Sequence, residues 1–474
     1  MEVNMSKKFS KGFETLDREV VIDDLPVQGS LPLWLEGALL RNGPAMFEIG
    51  GRSFRHWFDG LAMLHRFGFG NGRVSYANKF LQSPAYKGNL ENGKISYSEF
   101  ATDPCRSIFK RVQSVLSPPP AGHNANVNLT KLAGQFLALT ETPLPVAFDA
   151  ETLETVGVVQ FQDDIGFGAT TAHPHYDPAR QVGVNQLVQY GRESSYNILF
   201  IDQQLKRHIV GSIPVDEPGY LHSFGMTENY VILAEFPLVV NPLKLLLGGK
   251  PFIENFVWKP EQGARFFVVS KADGRIAHTL HSDAFFAFHH INAFEQDGDI
   301  FVDICAYDDD ALVQELYLNM LRGADGGKIS FPEFRRYHLP ANGEAATYER
   351  LSDEPIELPR INYGKVNGRA YQYAYGASYR RDKPGDFLNQ LLKVDVQNQG
   401  DWLWGEEDCY PGEPVFVAAP GATAEDEGVI LSVVLNGKTG TSFLLVLDAA
   451  TFSELARAEV PHHIPFGFHG QYFG

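Results

Sequence analysis

Cysteine is scarce: Cys105, Cys305 and Cys409 are the only three in 474 residues. So few, so widely spread, can build neither a disulfide framework nor a thiolate metal site, and a reducing compartment such as the cytoplasm is the expectation. Positive charge is also in deficit, with 40 Lys+Arg against 58 Asp+Glu and a formal charge of −18. No basic stripe is visible, so nucleic acid is not an expected partner and broad attachment to anionic lipid is disfavoured. No uninterrupted apolar run reaches the roughly eighteen residues of a membrane span. The nearest, Phe236 to Leu247, is short and contains Asn241, Pro242 and Lys244. Met1 to Val20 lacks the apolar core of a signal peptide, so secretion by that route is not expected.

Turn formers are abundant, with 45 Gly and 28 Pro beside a 44% hydrophobic content. Short apolar or alternating runs recur between turn signals: Gln135 to Leu139 after Ala133-Gly134, Phe266 to Ser270 before Asp273-Gly274, Ile300 to Ala306 after Asp297-Gly298. Gly428 to Val434 before Asn436-Gly437, and Ser442 to Leu447, continue the pattern. The regular helices of a βαβ series are missing between them, which leaves an all-β barrel, sandwich or propeller. So many strands favour a propeller, which repeats radially without long exposed edges. A chain of this length could be two or three average domains, or one unit if its β architecture is closed. Helical or irregular stretches are expected at Pro104 to Leu116, ended by Pro118-Pro119-Pro120, and at Ala311 to Leu321.

Fifteen histidines are present, and four of them sit in distinctive contexts. His173 ends a strand-like run in Thr171-Ala172-His173-Pro174-His175, and His222 lies in Tyr220-Leu221-His222-Ser223-Phe224-Gly225. His289 lies in Phe288-His289-His290-Ile291-Asn292-Ala293, and His469 in Phe466-Gly467-Phe468-His469-Gly470. An imidazole in apolar surroundings must satisfy both ring nitrogens, and giving one lone pair to a metal and the other N–H to an acceptor does so. Four unrelated core histidines is the plain alternative. On the residues alone iron, zinc and copper all remain open.

At these motifs the chain resembles the carotenoid cleavage oxygenase family. Further markers are Gly37-Ala38-Leu39-Leu40-Arg41-Asn42-Gly43-Pro44, His56-Trp57-Phe58-Asp59-Gly60 and Tyr410-Pro411-Gly412-Glu413-Pro414. Local detail is similar to the branch of animal β-carotene oxygenases and the retinoid isomerohydrolase, through Asp103-Pro104-Cys105-Arg106, Glu357-Leu358-Pro359-Arg360-Ile361-Asn362-Tyr363 and Glu425-Asp426-Glu427-Gly428. The resemblance implies one domain over residues 1–474, with an N-terminal extension over about residues 1–30, built as a seven-bladed β-propeller with a lid of loops and short helices over the metal face. It implies iron(II), Fe(2+), held by His173, His222, His289 and His469, with Glu141, Glu357 and Glu413 behind them. Each Glu would accept the outer N–H of a ligand His and fix its tautomer. Of the neighbours His289 and His290 only one can face the metal, because adjacent strand residues point oppositely, and the family pattern selects His289.

The activity so implied is cleavage of a C=C bond by dioxygen in a carotenoid or apocarotenoid, giving retinal-like aldehydes or ketones, in an apolar tunnel. Candidate tunnel residues are Phe100, Thr140, Phe288 and Phe468, with Phe285 and Phe286 as further aromatics. Stilbene-cleaving relatives bind a phenol with a Tyr and a Lys; Phe100 and Thr140 stand in those places, which favours a polyene. A stilbene-cleaving dioxygenase, a retinoid isomerohydrolase, a zinc-dependent hydrolase and a non-catalytic carotenoid-binding propeller are the alternative readings. Peripheral membrane contact would fall to Ser107 to Leu116 and Phe236 to Leu247, and Cys105 resembles a lipid-modified position.

Overall fold

A computed structural model describes residues 8–102, 122–166, 168–247, 250–323, 329–383 and 386–474. Seven antiparallel sheets are arranged as blades of a propeller. Blade 1 has the order Val20–Ile22, Arg73–Phe80, Leu61–Gly70, Gly37–Met46 and Gly470–Phe473. Blade 2 opens with Asn128–Leu132, followed by Gln135–Leu139, Val146–Phe148 and Thr155–Val158. Blade 3 sets both Ala169–Thr170 and His175–Asp177 against Val182–Gln189. Blades 4, 5 and 6 open with Gly225–Met226, His290–Gln296 and Glu357–Arg360. Blade 7 sets Cys409–Pro411 and Val415–Ala418 against Gly428–Asn436, and ends on Val27–Gly29. The opening strands face one axial channel of about 610 Å³, bordered by Thr130, Thr171, Ser223, Ile291, Val417 and Gln471 among others.

The strands form where alternation and turn chemistry coincide. Arg73–Phe80 alternates between exposed or half-buried and buried positions along its whole length, the period of two that a pleated strand requires. Two of the expected hairpin turns place both residues at positive φ: Ala133 at 49° with Gly134 at 76°, and Asp297 at 55° with Gly298 at 92°. That backbone matches the twist of the flanking strands. Asn436-Gly437 behaves differently. The strand runs on to Asn436, the turn occupies residues 437–440, and Gly440 takes the positive φ of 70°.

The core is a ring of clusters between blades. Tyr196, Ile198, Leu233 and Phe267 pack blade 3 on blade 4; Tyr375, Leu391, Ile430 and Leu445 pack blade 6 on blade 7. A larger cluster covers one face of the propeller and includes Phe9, Phe13, Trp57, Leu312, Leu316 and Phe387. The stretch expected as helical from Ala311 to Leu321 forms two short helices, Ala311–Glu315 and Leu318–Arg322. They separate because Leu316, Tyr317 and Leu318 are drawn into backbone pairing with residues 55–57: Trp57 N–H donates to Leu316 C=O and Leu318 N–H to Arg55 C=O. The other expected helix, from Pro104 to Leu116, lies outside the described residues with its Pro118-Pro119-Pro120 stop and the Asp103-Pro104-Cys105-Arg106 motif.

The N-terminal extension, from residue 8 on, is stitched into the propeller. Phe9 and Phe13 are buried under the lid, Val20–Ile22 edges blade 1, and Val27–Gly29 is the last strand of blade 7. At the other end, Gly470–Phe473 is hydrogen-bonded to Gly37–Met46 of blade 1. Both chain ends therefore close the ring. Gly470 is needed for this contact, since a Cβ there would lie 2.4 Å from the Leu40 carbonyl oxygen. Gly470→Ala is expected to lower stability by about 1–3 kcal/mol through forced strand separation, read as a lower thermal midpoint; an unchanged midpoint would show that the closure tolerates the methyl group.

Candidate metal centre

Each blade contributes one residue to the axis at its lid-side end. His173, His222, His289 and His469 come from blades 3, 4, 5 and 1, just before or within the opening strand. Glu141, Glu357 and Glu413 come from blades 2, 6 and 7. The loops that carry the histidines are tied to one another. Thr171 donates its hydroxyl to the His222 carbonyl, and Ser223 donates to the Phe288 carbonyl at 2.6 Å. Asn42 N–H reaches the His469 carbonyl at 2.9 Å, and Cys305 N–H the His289 carbonyl at 3.0 Å.

One ring nitrogen from each histidine lies within 4.8 Å of the others, and this is a metal-type cluster of the described residues. The Nε2 atoms of His173 and His222 are 3.0 Å apart, and those of His289 and His469 are 3.2 Å apart. The outer nitrogens are anchored. His222 Nδ1 donates to Glu141 at 2.7 Å, His289 Nδ1 to Glu357 at 2.6 Å, and His469 Nδ1 to Glu413 at 2.7 Å. A carboxylate can only accept, so the proton sits on Nδ1 and each Nε2 turns a lone pair inward. His173 alone lacks a carboxylate partner among the described residues and is held by its backbone, whose N–H donates to the Thr171 hydroxyl at 2.9 Å.

Facing lone pairs repel unless a proton or cation lies between them, and protonation is opposed. Burial, reinforced by His469, His222 and His289, holds His173 well below the usual imidazole range. Burial, then His289 and Arg360, does the same for His469. His222 is lowered by burial against the opposing pull of Glu141. Burial pushes Glu357 up, but its pairing and hydrogen bond with His289, with bonds from Leu358 N–H and Tyr307, outweigh it and keep the carboxyl low. Glu413 is paired with the guanidinium groups of Arg41 at 2.5 Å and Arg360 at 3.0 Å. Glu141 and Glu357 have no Lys or Arg partner among the described residues; each instead accepts a tyrosine hydroxyl, from Tyr220 at 2.7 Å and Tyr307 at 2.9 Å. Two carboxyl groups with no basic partner thus stand behind a set of imidazole nitrogens. That donor set fits a divalent cation.

Above the cluster lies an apolar cavity. Phe100, Thr140, Phe288 and Phe468, the four expected tunnel residues, all line it. Phe285 and Phe286 do not: Phe285 stacks on Tyr337 with centroids 4.7 Å apart, and Phe286 is pinned by backbone bonds to Tyr307, so both are core. His290 and His175 also turn away from the cluster, His290 to Ser223 and His175 to Tyr363 and the Phe224 carbonyl. Reading the sequence missed Trp57, Phe58, Glu99, Tyr307, Leu358 and Tyr379 on the wall. The His56-Trp57-Phe58-Asp59-Gly60 motif carried the signal for the first two. Its short helix is capped by His56, whose Nδ1 accepts from Phe58 N–H at 3.1 Å while Asp59 accepts from His56 N–H at 3.1 Å. Phe58 then meets Phe100, Phe288 and Phe468 with centroids 5.1 to 5.6 Å apart.

The family profile described as retinal pigment epithelial membrane protein matches residues 13–474. The chain belongs to this family. It is 38% identical to the carotenoid-cleaving dioxygenase, mitochondrial, of Mustela putorius furo, over 97% of this chain and 95% of the relative. It is 35% identical to the beta,beta-carotene 15,15'-dioxygenase of Gallus gallus, over 94% of each. Among solved structures, the cobalt-substituted Synechocystis apocarotenoid oxygenase superposes with a TM-score of 0.88 at 26% identity, covering 98% of both chains. Family members in these comparisons are oxygenases, and this chain has the histidine cluster of a metal centre. No helix among the described residues is long and apolar enough to cross a membrane.

Buried histidines outside the cluster give the family fold an acid-sensitive stability. Burial lowers His56, His65 and His290 to about 3 and His175 to about 4. Unfolded, all four would protonate near pH 6.5. Their contribution is therefore complete above about pH 6.5 and is lost as pH falls towards 3, by up to about 1.4 kcal/mol per pH unit for each ring. Asp59, raised by burial to about 6, acts in the opposite sense and offsets roughly one ring. The thermal midpoint of metal-free protein is expected to fall between pH 7.5 and pH 5.0; a flat profile would contradict the neutral assignment.

Proposed function

We propose that the protein is a carotenoid or apocarotenoid cleavage dioxygenase whose iron(II) is held by His173, His222, His289 and His469. The observation that carries this reading is the ring of inward Nε2 lone pairs opening into an aromatic cavity. Its relatives' names, carotenoid-cleaving dioxygenase and apocarotenoid oxygenase, support the same chemistry. When bound, iron(II) supplies dioxygen activation beside the alkene, and cleavage of one C=C bond yields two carbonyl products.

The chain's own groups supply placement and dryness. Phe58, Phe100, Phe288 and Phe468 present ring faces and edges suited to a flat conjugated chain, so the position of the cleaved bond is set by how far the polyene slides past His222, His289 and His469. Leu312, on the short helix Ala311–Glu315, and Leu316, just after it, cover this wall and exclude water. Glu141, Glu357 and Glu413 keep the ligand rings in the tautomer that offers Nε2. A phenol would find no lysine at Thr140 and no tyrosine hydroxyl at Phe100, and the Tyr307 and Tyr220 hydroxyls are already committed to carboxylates. That favours a polyene over a stilbene.

Contact with a bilayer would fall to the part of the Phe236 to Leu247 region that is exposed, since Phe236 and Leu238 to Val240 of this expected segment are buried. Ile253 N–H donates to the Phe100 carbonyl at 3.1 Å, and beside it strand Leu238–Val239 pairs Val257–Trp258. Leu243 is 59% and Val257 47% exposed there, apolar side chains that could enter a lipid surface without spanning it. The companion segment Ser107 to Leu116, and Cys105, lie outside the described residues.

Iron loaded anaerobically, then air with all-trans β-carotene or an apocarotenal in detergent, should give oxygen-dependent aldehydes whose lengths locate the bond. No products from these, but cleavage of a stilbene or isomerisation of a retinyl ester, would overturn the substrate assignment. His222→Ala should lose the one iron per chain together with turnover. Glu357→Gln should weaken metal affinity or activity by about 10–100-fold; unchanged iron content and activity would remove Glu357 from the centre.

A further inference from the structure

Glu99 is a wall residue of the cavity whose buried carboxyl oxygen the described residues leave without a hydrogen-bond partner. The segment around it is fully tied down. Glu99 N–H donates to the Thr102 carbonyl at 2.9 Å, Ala101 N–H to Asp59 at 3.0 Å, and the Thr102 hydroxyl to Asp59 at 2.5 Å. Ile253 N–H takes the Phe100 carbonyl. None of these bonds uses the Glu99 side chain. Its Oε1 is buried and has no hydrogen-bond partner, and no Lys or Arg among the described residues pairs with it. The nearby Arg55 is spent on Glu254 at 2.7 Å.

An unpartnered buried carboxyl is costly, and a charged one would be more so. Here the Asp59 carboxylate is close enough to repel a second anion, and burial followed by Asp59 holds Glu99 well above the usual carboxyl range. The group is thus a neutral acid, offering one O–H donor and one carbonyl acceptor. Much of the cavity wall is apolar, with Trp57, Phe100, Leu312, Leu316, Phe387 and Phe468 beside the hydroxyl-bearing Thr140, Tyr307 and Tyr379. A hydrocarbon would leave both Glu99 functions unsatisfied, whereas an alcohol or a carbonyl would pair with them.

We propose that Glu99 is a substrate-recognition residue that binds the oxygen-bearing end group, hydroxyl or carbonyl, of an oxygenated carotenoid or apocarotenoid. The assignment rests on the polyene-cleavage reading and narrows it to oxygenated polyenes. A site built to hydrogen-bond an OH or C=O discriminates against the analogue lacking it, because its own polar group is then left unpaired.

The test reads binding rather than turnover. Tryptophan fluorescence, with Trp57 on the same wall, is titrated under nitrogen with β-carotene, zeaxanthin and β-apo-8'-carotenal in one detergent. Wild-type protein should bind at least one oxygenated probe about tenfold more tightly than β-carotene. A zeaxanthin preference would assign the ring hydroxyl, and an apocarotenal preference the chain-end carbonyl. Glu99→Leu should erase that preference while leaving β-carotene affinity unchanged or improved, and Glu99→Gln, which keeps a donor and an acceptor, should retain most of it. Equal wild-type affinities, or a Glu99→Leu variant that weakens all three probes alike, would overturn the proposal. If Glu99→Leu does not fold, the wild-type and Glu99→Gln titrations still decide. Selective binding without products in air would sink the cleavage reading alone; products with no selectivity would sink the Glu99 assignment alone.

Discussion

Four imidazole lone pairs aimed at one point form the constraint on which the structure depends. They are mutually repulsive and buried, and for His173, His222 and His469 burial opposes the protonation that would relieve the repulsion. Such an arrangement persists only if the backbone holds it. The propeller does this by bringing seven strand ends to one axis, each from a blade that is packed independently against its neighbours. Links such as Thr171 to the His222 carbonyl and Ser223 to the Phe288 carbonyl then fix each ligand loop to the adjacent one.

Charge is distributed around that axis unevenly, and the unevenness is chemically informative. Glu413 is neutralised by Arg41 and Arg360, so its link to His469 is as much structural as electronic. Glu141 and Glu357 are supported only by hydrogen bonds from tyrosine, histidine and, for Glu357, a backbone N–H. Their charge is directed at the centre through His222 and His289. A neutral first layer backed by two free carboxylates suits a divalent ion while leaving the facing cavity apolar. Most polar chemistry is kept behind the histidines, and the surface in front of them is mainly aromatic, broken by Glu99 and Thr140.

The cavity is assembled from parts distant in the chain, and this limits how much of it could be read beforehand. Thr140, Phe288 and Phe468 were recoverable because each lies beside a motif residue, and Phe100 because it stands where stilbene-cleaving relatives have a Tyr. Trp57 and Phe58 reach the wall through a capped turn, and Leu312 and Leu316 through helices broken by pairing with residues 55–57. Phe285 and Phe286 precede Phe288 in sequence yet turn into the core, because the strand bridge between Phe286 and Tyr307 fixes which side of the chain faces inward. Glu99 had no local signal: an acidic residue in a turn-rich stretch is ordinarily solvated, and only the packed wall shows that it is not.

By itself the sequence determined the β character and the hairpins at Ala133-Gly134 and Asp297-Gly298, and it marked the histidines and glutamates of the site only through motifs shared with the family. These are local properties, set by period, by the conformational demands of turn residues and by the chemistry of a side chain among its immediate neighbours. Tertiary structure alone decided which nitrogen of each ring faces the axis, that Glu413 is neutralised while Glu141 and Glu357 are not, and that both chain ends close the ring. It also decided where the wall of the cavity runs. Those outcomes depend on contacts between residues up to several hundred positions apart, such as Arg41 with Glu413, and no window along the chain contains both partners.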